Sequence, residues 1–172
     1  MADRSYSIPI DRVSSSVPMI GESHHQVHMG ELFDSTKFVT GDTSDKKNLA
    51  VFVGSKEAHA LFRFESNVQA HCKLYESPTL TASGTLETIY NRKRSSSRAP
   101  LTHVRRDASY SSAGTMLEAH TSGSTGFKEG SGGDSESRRE WLLKPSTVYL
   151  WEVEFKADNG EASLGVEFYE ED

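Results

Sequence analysis

The sequence predicts an all-β protein, an antiparallel β-sandwich or barrel of about eight strands, with an extended N-terminal arm. Apolar and polar residues alternate in segment after segment, and helical spacing is nearly absent. Gly, Pro, Ser or Asn interrupts the alternation at intervals of about ten residues. No stretch has the strand–helix–strand rhythm of a parallel sheet.

Residues 1–46 read as the arm. Two prolines, a serine triplet and a histidine cluster break every pattern there. Short β segments at 17–20, 26–29 and 37–40 fall short of a compact subdomain, so the arm is expected to order against a partner. The sandwich domain is assigned to residues 47–172. Its first strand is the apolar run Asn48 to Val53, stopped by Gly54. Phe62 and Phe64 then alternate with Arg63 and Glu65. Val68, Ala70, Cys72 and Leu74 alternate with Gln69, His71, Lys73 and Tyr75. Weaker strands are expected at 85–90, 102–105 and 115–121, and a short one at 140–143, ended by Lys144-Pro145.

Near the C-terminus, Tyr149, Trp151, Val153 and Phe155 share one face and Leu150, Glu152 and Glu154 the other, the pattern of a half-buried antiparallel strand. Leu164, Val166 and Phe168 alternate with Gly165, Glu167 and Tyr169. Asn159-Gly160 between these two strands predicts a hairpin.

The 172 residues suffice for a real apolar core without disulfides or a structural metal. Hydrophobic residues are 35%, charged residues 26% and mean hydropathy is -0.57, a polar composition. No run of about 18 apolar residues marks a membrane span, and the first residues lack a signal peptide's apolar stretch, so a cytoplasmic origin is expected. The single cysteine, Cys72, lies in a strand pattern and reads as a small core hydrophobe.

Four features invite a chemical reading. Between Gly123 and Asp134 the chain reads GSTGFKEGSGGD. A phosphate-cradling loop needs Gly-Lys-Ser/Thr before a helix, whereas Glu129 follows Lys128 here and the next segment is strand-like. It is read as a long connection. Of His24, His25 and His28, the first and last would share one face of a helix at metal-binding spacing, but no helical frame or intervening Glu is expected, so the three are read as incidental or interface residues. No serine sits in a strand–turn–helix elbow, and the acids at Glu170, Glu171 and Asp172 read as a solvated tail. No catalytic, cofactor-binding or metal-binding residue is assigned, and the chain is read as a non-enzyme.

Charge is the fourth feature. The net charge is -6, yet Asn91 to Arg106 holds six basic residues (Arg92, Lys93, Arg94, Arg98, Arg105, Arg106) and no acid, while Glu152 to Asp172 holds eight acids and one lysine. The basic segment lacks the interleaved aromatics of a single-strand nucleic-acid binder. It is a solvated loop, or it docks on an acidic protein surface or the acidic end of a neighbouring copy.

From Asn48 to Tyr169 the order of segments resembles a family of tailed-bacteriophage virion proteins encoded near the major capsid protein. The resemblance is carried by LAVFVGSKEAHALFRFES, CKLYESPTLTASGTLETIYNRKR, AGTMLEAHTSGSTG, SRREWLLKPSTVYLWEVEF and LGVEFYEE, in that order. It implies a jelly-roll capsid decoration or cement protein on the capsid exterior, made in a bacterial host cytoplasm. The implied partners are the phage major capsid protein and the chain itself, as a homotrimer rather than a homodimer, with no nucleic acid, membrane or cofactor. The expected interface comprises the six basic residues above together with Ile8, Ile10, Val17, Met19 and Ile20 of the arm. The alternative is a tail, head-fibre or receptor-binding sandwich that recognises host glycans.

Overall fold

A computed structural model describes residues 22–122 and 140–171. One helix, α1 (Glu22–Met29), precedes thirteen strands among them: β1 (Phe33–Gly41), β2 (Lys46–Phe52), β3 (Ala58–Ser66), β4 (Ala70–Glu76), β5 (Thr79–Ala82), β6 (Thr85–Leu86), β7 (Tyr90–Asn91), β8 (His103–Arg106), β9 (Ser109–Ser112), β10 (Thr115–Ser122), β11 (Trp141–Leu143), β12 (Val148–Phe155) and β13 (Gly160–Glu170). The all-β sandwich predicted from alternation is what forms.

Two antiparallel sheets face each other. The first runs β11-β3-β13-β1-β7 and the second β10-β4-β12-β2-β8-β6. Removing the short edge strands leaves β11-β3-β13-β1 against β10-β4-β12-β2. The chain switches sheet at each step from β1 to β4 and again from β10 to β13. That is the eight-stranded, double Greek-key jelly roll. Thirteen strands form among the described residues where about eight were expected, and β1 belongs among the eight of the jelly roll while 85–90 and 102–105 do not.

This corrects the boundary of the arm. Residues 33–41 pair along their whole length with β13, Phe33 opposite Phe168 and Gly41 opposite Gly160. Phe33 is buried among the core side chains. The alternation of β1 is hard to see because Ser35 and Lys37 occupy positions between Phe33 and Val39. The segment expected as β at 26–29 lies in α1 instead. The segment at 17–20 and the glycine-rich loop 123–134 lie outside the described residues.

Trp151, Tyr149, Phe155, Phe168, Leu74 and Leu164 dominate the core between the sheets. The Trp151 indole donates to the Arg63 carbonyl at 3.1 Å, so its polar edge is satisfied inside. Cys72 is a core residue as expected, and burial pushes its thiol pKa well up.

Two further expectations change. The turn at 156–160 closes no hairpin: β12 lies in the second sheet and β13 in the first. The Phe155 ring packs beneath Gly160 and Gly41, where an added Cβ would come within 2.4 and 2.6 Å of it. The chain therefore arches over the end of the core. Asp158 Oδ1 accepts from the Thr43 amide and hydroxyl, and Asp42 Oδ1 from the Asn159 amide, which staples this arch to the one between β1 and β2.

The other change concerns β12, which is buried on both faces. All the surplus strands come from one insertion, residues 77–114, between β4 and β10. The β4–β10 pair continues past a bend into the β5–β9 ribbon. At the bend Ser77 has φ 56° and Gly114 φ 88°, and a Cβ on Gly114 would stand 2.2 Å from the Glu76 carbonyl oxygen. The ribbon covers the outer face of the second sheet, packing Leu80, Ala108 and Tyr110 against Ala50 and Leu150. Asn48 pins it, accepting from the Ala108 amide and donating to its carbonyl at 2.9 and 3.0 Å. Glu152, 3% exposed beneath the ribbon, is satisfied by Lys46 at 3.2 Å and by the Tyr110 hydroxyl. The expected segment 85–90 divides, β6 joining the second sheet and β7 the first.

A chain beginning at residue 47 lacks β1 and is expected to lose cooperative thermal unfolding. A chain beginning at residue 22 should retain it, as differential scanning calorimetry will show.

Candidate docking surface

The six basic residues fall into two groups. Arg105 and Arg106 lie on β8. Arg106 pairs with Glu87 and Asp107. Arg105 donates to Ser83 Oγ and the Gly84 carbonyl at 3.3 and 3.1 Å and sits over the Phe52 ring. Both side chains serve to close the edge of the second sheet.

Arg92, Lys93, Arg94 and Arg98 surround the entry to β1. The Arg92 amide donates to the Leu32 carbonyl at 2.9 Å and its guanidinium pairs with Glu167 on β13. Asn91 donates to the Gly30 carbonyl at 2.8 Å. Lys93 Nζ donates to the His28 carbonyl at 2.8 Å, at the C-terminal end of α1 where a cation is favoured. Arg98 pairs with Glu31. Further on, the Leu101 and Thr102 amides donate to the two oxygens of Glu170 at 3.0 and 2.6 Å. The basic loop is thus fastened to the acidic last strand of its own chain, and to α1.

Glu31 and Glu167 were not singled out by sequence reading, and Glu170, expected in a solvated tail, is instead buried and accepts from two backbone amides, although a signal existed. Glu167 and Glu170 sit in an otherwise apolar strand end and are each 8% exposed. Buried carboxylates need partners, and residues 91–106 form the one long basic segment free of acids.

What remains free is small and local. Arg94 has no carboxylate partner among the described residues and lies over the Tyr90 ring at 5.2 Å from its centroid. Tyr90 is 54% exposed and Met29, at the end of α1, 55%. Lys93, Arg94, Tyr90, Met29 and the exposed His24, His25 and His28 therefore belong to one corner of the sandwich. The expected arm residues Ile8, Ile10, Val17, Met19 and Ile20 lie outside the described residues, but α1, which follows them in the chain, is anchored to this corner.

Two other constellations are notable. On the outer face of the first sheet, Phe38, 60% exposed, borders a shallow depression of ≈ 250 Å³ with Glu65, Asn67, Glu161 and Ser163. On β3, His59 stacks on Tyr169 and faces carboxylates with both ring nitrogens, Nδ1 to Glu140 at 2.8 Å and Nε2 to Glu171 at 2.7 Å. Partial burial pulls its pKa down, but the hydrogen bonds and charges of Glu171 and Glu140 outweigh this and the net shift is upward. With both ring nitrogens engaged by carboxylates, this arrangement works as a clamp between the C-terminal end and the entry to β11. Among the described residues no group of three or more His, Cys, Asp or Glu is placed to hold a metal ion, and no helix is long and apolar enough to cross a membrane.

Two outcomes follow. Glu170→Ala leaves the Leu101 and Thr102 amides without their acceptor and should cost ~2–4 kcal/mol in urea denaturation. Because the folded pKa of His59 lies above its ordinary 6.5, its contribution is complete below that value and fades as pH rises through the folded pKa. The stability advantage of wild type over His59→Asn should therefore be larger near pH 6 than near pH 9 in parallel melts. No protein-family model, curated protein or solved structure matches the chain.

Proposed function

We propose that this chain is a capsid decoration protein of a tailed bacteriophage, binding the outer surface of the major capsid lattice and bridging capsomers. The observation that carries the reading is the corner where the basic loop holds α1. It unites the two segments expected to make contact, the loop and the root of the N-terminal residues, on one rigid jelly-roll end. Arg92, Arg98 and Arg106 are neutralised by carboxylates within the chain and Arg105 is turned onto the Phe52 ring, so docking falls to Arg94, Lys93, Tyr90 and Met29. A protein repeated over a lattice needs no deep pocket, since many modest contacts supply avidity. The resemblance of the segments from Asn48 to Tyr169 supplies the phage context.

A second reading, a tail, head-fibre or receptor-binding module for host glycans, has the Phe38 depression in its favour. An exposed aromatic ring offers a platform for the apolar face of a sugar. Glu65, Asn67 and Ser163 beside it are of the types that bind hydroxyl groups.

The two readings separate by copy number. Purified virions should carry the protein on the order of hundreds of copies, as lattice decoration requires, and added protein should saturate undecorated capsids at that level. Arg94→Glu should weaken this binding about tenfold while leaving the melting temperature unchanged. A few copies per particle, with glycan-array binding lost in Phe38→Ala, would overturn the decoration reading in favour of the second.

A further inference from the structure

The helix α1 is unexpected for so polar a segment, ESHHQVHM. Its C-terminus explains why it forms. The Glu31 amide donates to the Gln26 carbonyl at 2.9 Å and the Gly30 amide to the Val27 carbonyl at 3.1 Å, with Gly30 at φ 76°. That is a Schellman motif, in which a left-handed glycine satisfies carbonyls left over at the helix end. Lys93 Nζ takes the His28 carbonyl as well.

One turn apart on this helix, His24 and His28 share a face. Their Nε2 atoms are 3.0 Å apart, and the rings meet edge-on, with centroids 4.5 Å apart and planes at 66°. Both residues are exposed. Two imidazole nitrogens converging on one point form the core of a transition-metal chelate.

We propose that His24 and His28 form a two-imidazole site for a divalent transition metal, with Cu(II) and Ni(II) preferred over Zn(II). With metal–nitrogen bonds of about 2.1 Å, a 3.0 Å separation subtends about 90° at the metal. That is the cis angle of square-planar or octahedral coordination, which suits copper and nickel. A tetrahedral zinc site would need the nitrogens about 3.4 Å apart. In the metal-free pair one Nε2 donates its proton to the other. On binding, that pair becomes two Nδ1–H tautomers by proton exchange with solvent. Both Nε2 lone pairs then go to the metal, and no net proton is released. Water or a donor from a bound partner takes the remaining positions. Neutral nitrogen donors do not suit Mg(II) or Ca(II), which take oxygen ligands. The helix holds the two rings in place before the metal arrives, so little ordering entropy opposes binding.

His25 supplies an internal control, being exposed and adjacent but off the shared face. In calorimetric titration of the full chain with NiCl2, one equivalent should bind with a Kd on the order of 10 µM. His24→Ala and His28→Ala should each weaken it at least tenfold, and His25→Ala should leave it unchanged. Nickel should also slow hydrogen exchange of the amides from Gln26 to Glu31 in wild type and in His25→Ala, which a site elsewhere would not do. MgCl2 should neither bind nor compete. Unaltered affinity in both His24→Ala and His28→Ala, no binding at about 1 mM metal, or no change in exchange along α1 would overturn the proposal.

Discussion

The pairing of buried acids on β13 with the basic segment 92–102 is the constraint on which the candidate surface depends. Both acids lie at the end of β13, Glu167 on the face opposite the core and Glu170 in line with Leu164, Val166 and Phe168 of the core face. Uncompensated, each would cost several kcal/mol. Arg92 answers the first and two backbone amides the second. Because these partners come from one stretch of chain, the stretch is drawn tightly across the end of the first sheet. Asn91, Lys93 and Arg98 are thereby brought to Gly30, His28 and Glu31, and α1 is held where the chain enters β1.

A single insertion does the rest of the shaping. Residues 77–114 leave the jelly roll between β4 and β10, cover the outer face of the second sheet and lengthen both sheets at one side. An antiparallel sheet usually leaves one face to water. Here the ribbon makes β12 a strand buried on both sides, and Glu152 becomes a buried carboxylate fastened by Lys46 and Tyr110. The same insertion carries the basic segment, so the ribbon and the docking corner are two ends of one excursion of the chain.

Much of the candidate site was written in residue types but not in their pairing. The basic run and the acidic end were plain, and their complementarity was recognisable as charge. Whether it would be satisfied between copies or within one chain was open, because opposite charges attract equally well either way. Arg92, Arg98 and Arg106 pair with carboxylates of their own chain, whereas Lys93, Arg94 and Arg105 have no carboxylate partner among the described residues. The histidine trio shows a different gap. His24 and His28 stand four apart, but their meaning depended on a helix that low propensity argued against. Gly30 was the missed signal, a left-handed stop that makes the preceding turns worth forming.

By itself the sequence determined the all-β class and the faces of β3, β4, β12 and β13. Period-two alternation is a local property, imposed by a pleat that sends successive side chains to opposite sides. It determined the core role of Cys72 for the same reason. Only the tertiary structure decided which strands pair. Asn159-Gly160 permits a tight reversal in either setting, and the Phe155 ring beneath Gly160 sends the chain across to the other sheet. Membership of β1 was decided there too. Its partners on β13 stand more than a hundred residues away, and their contact energy, not any local pattern, holds residues 33–41 extended.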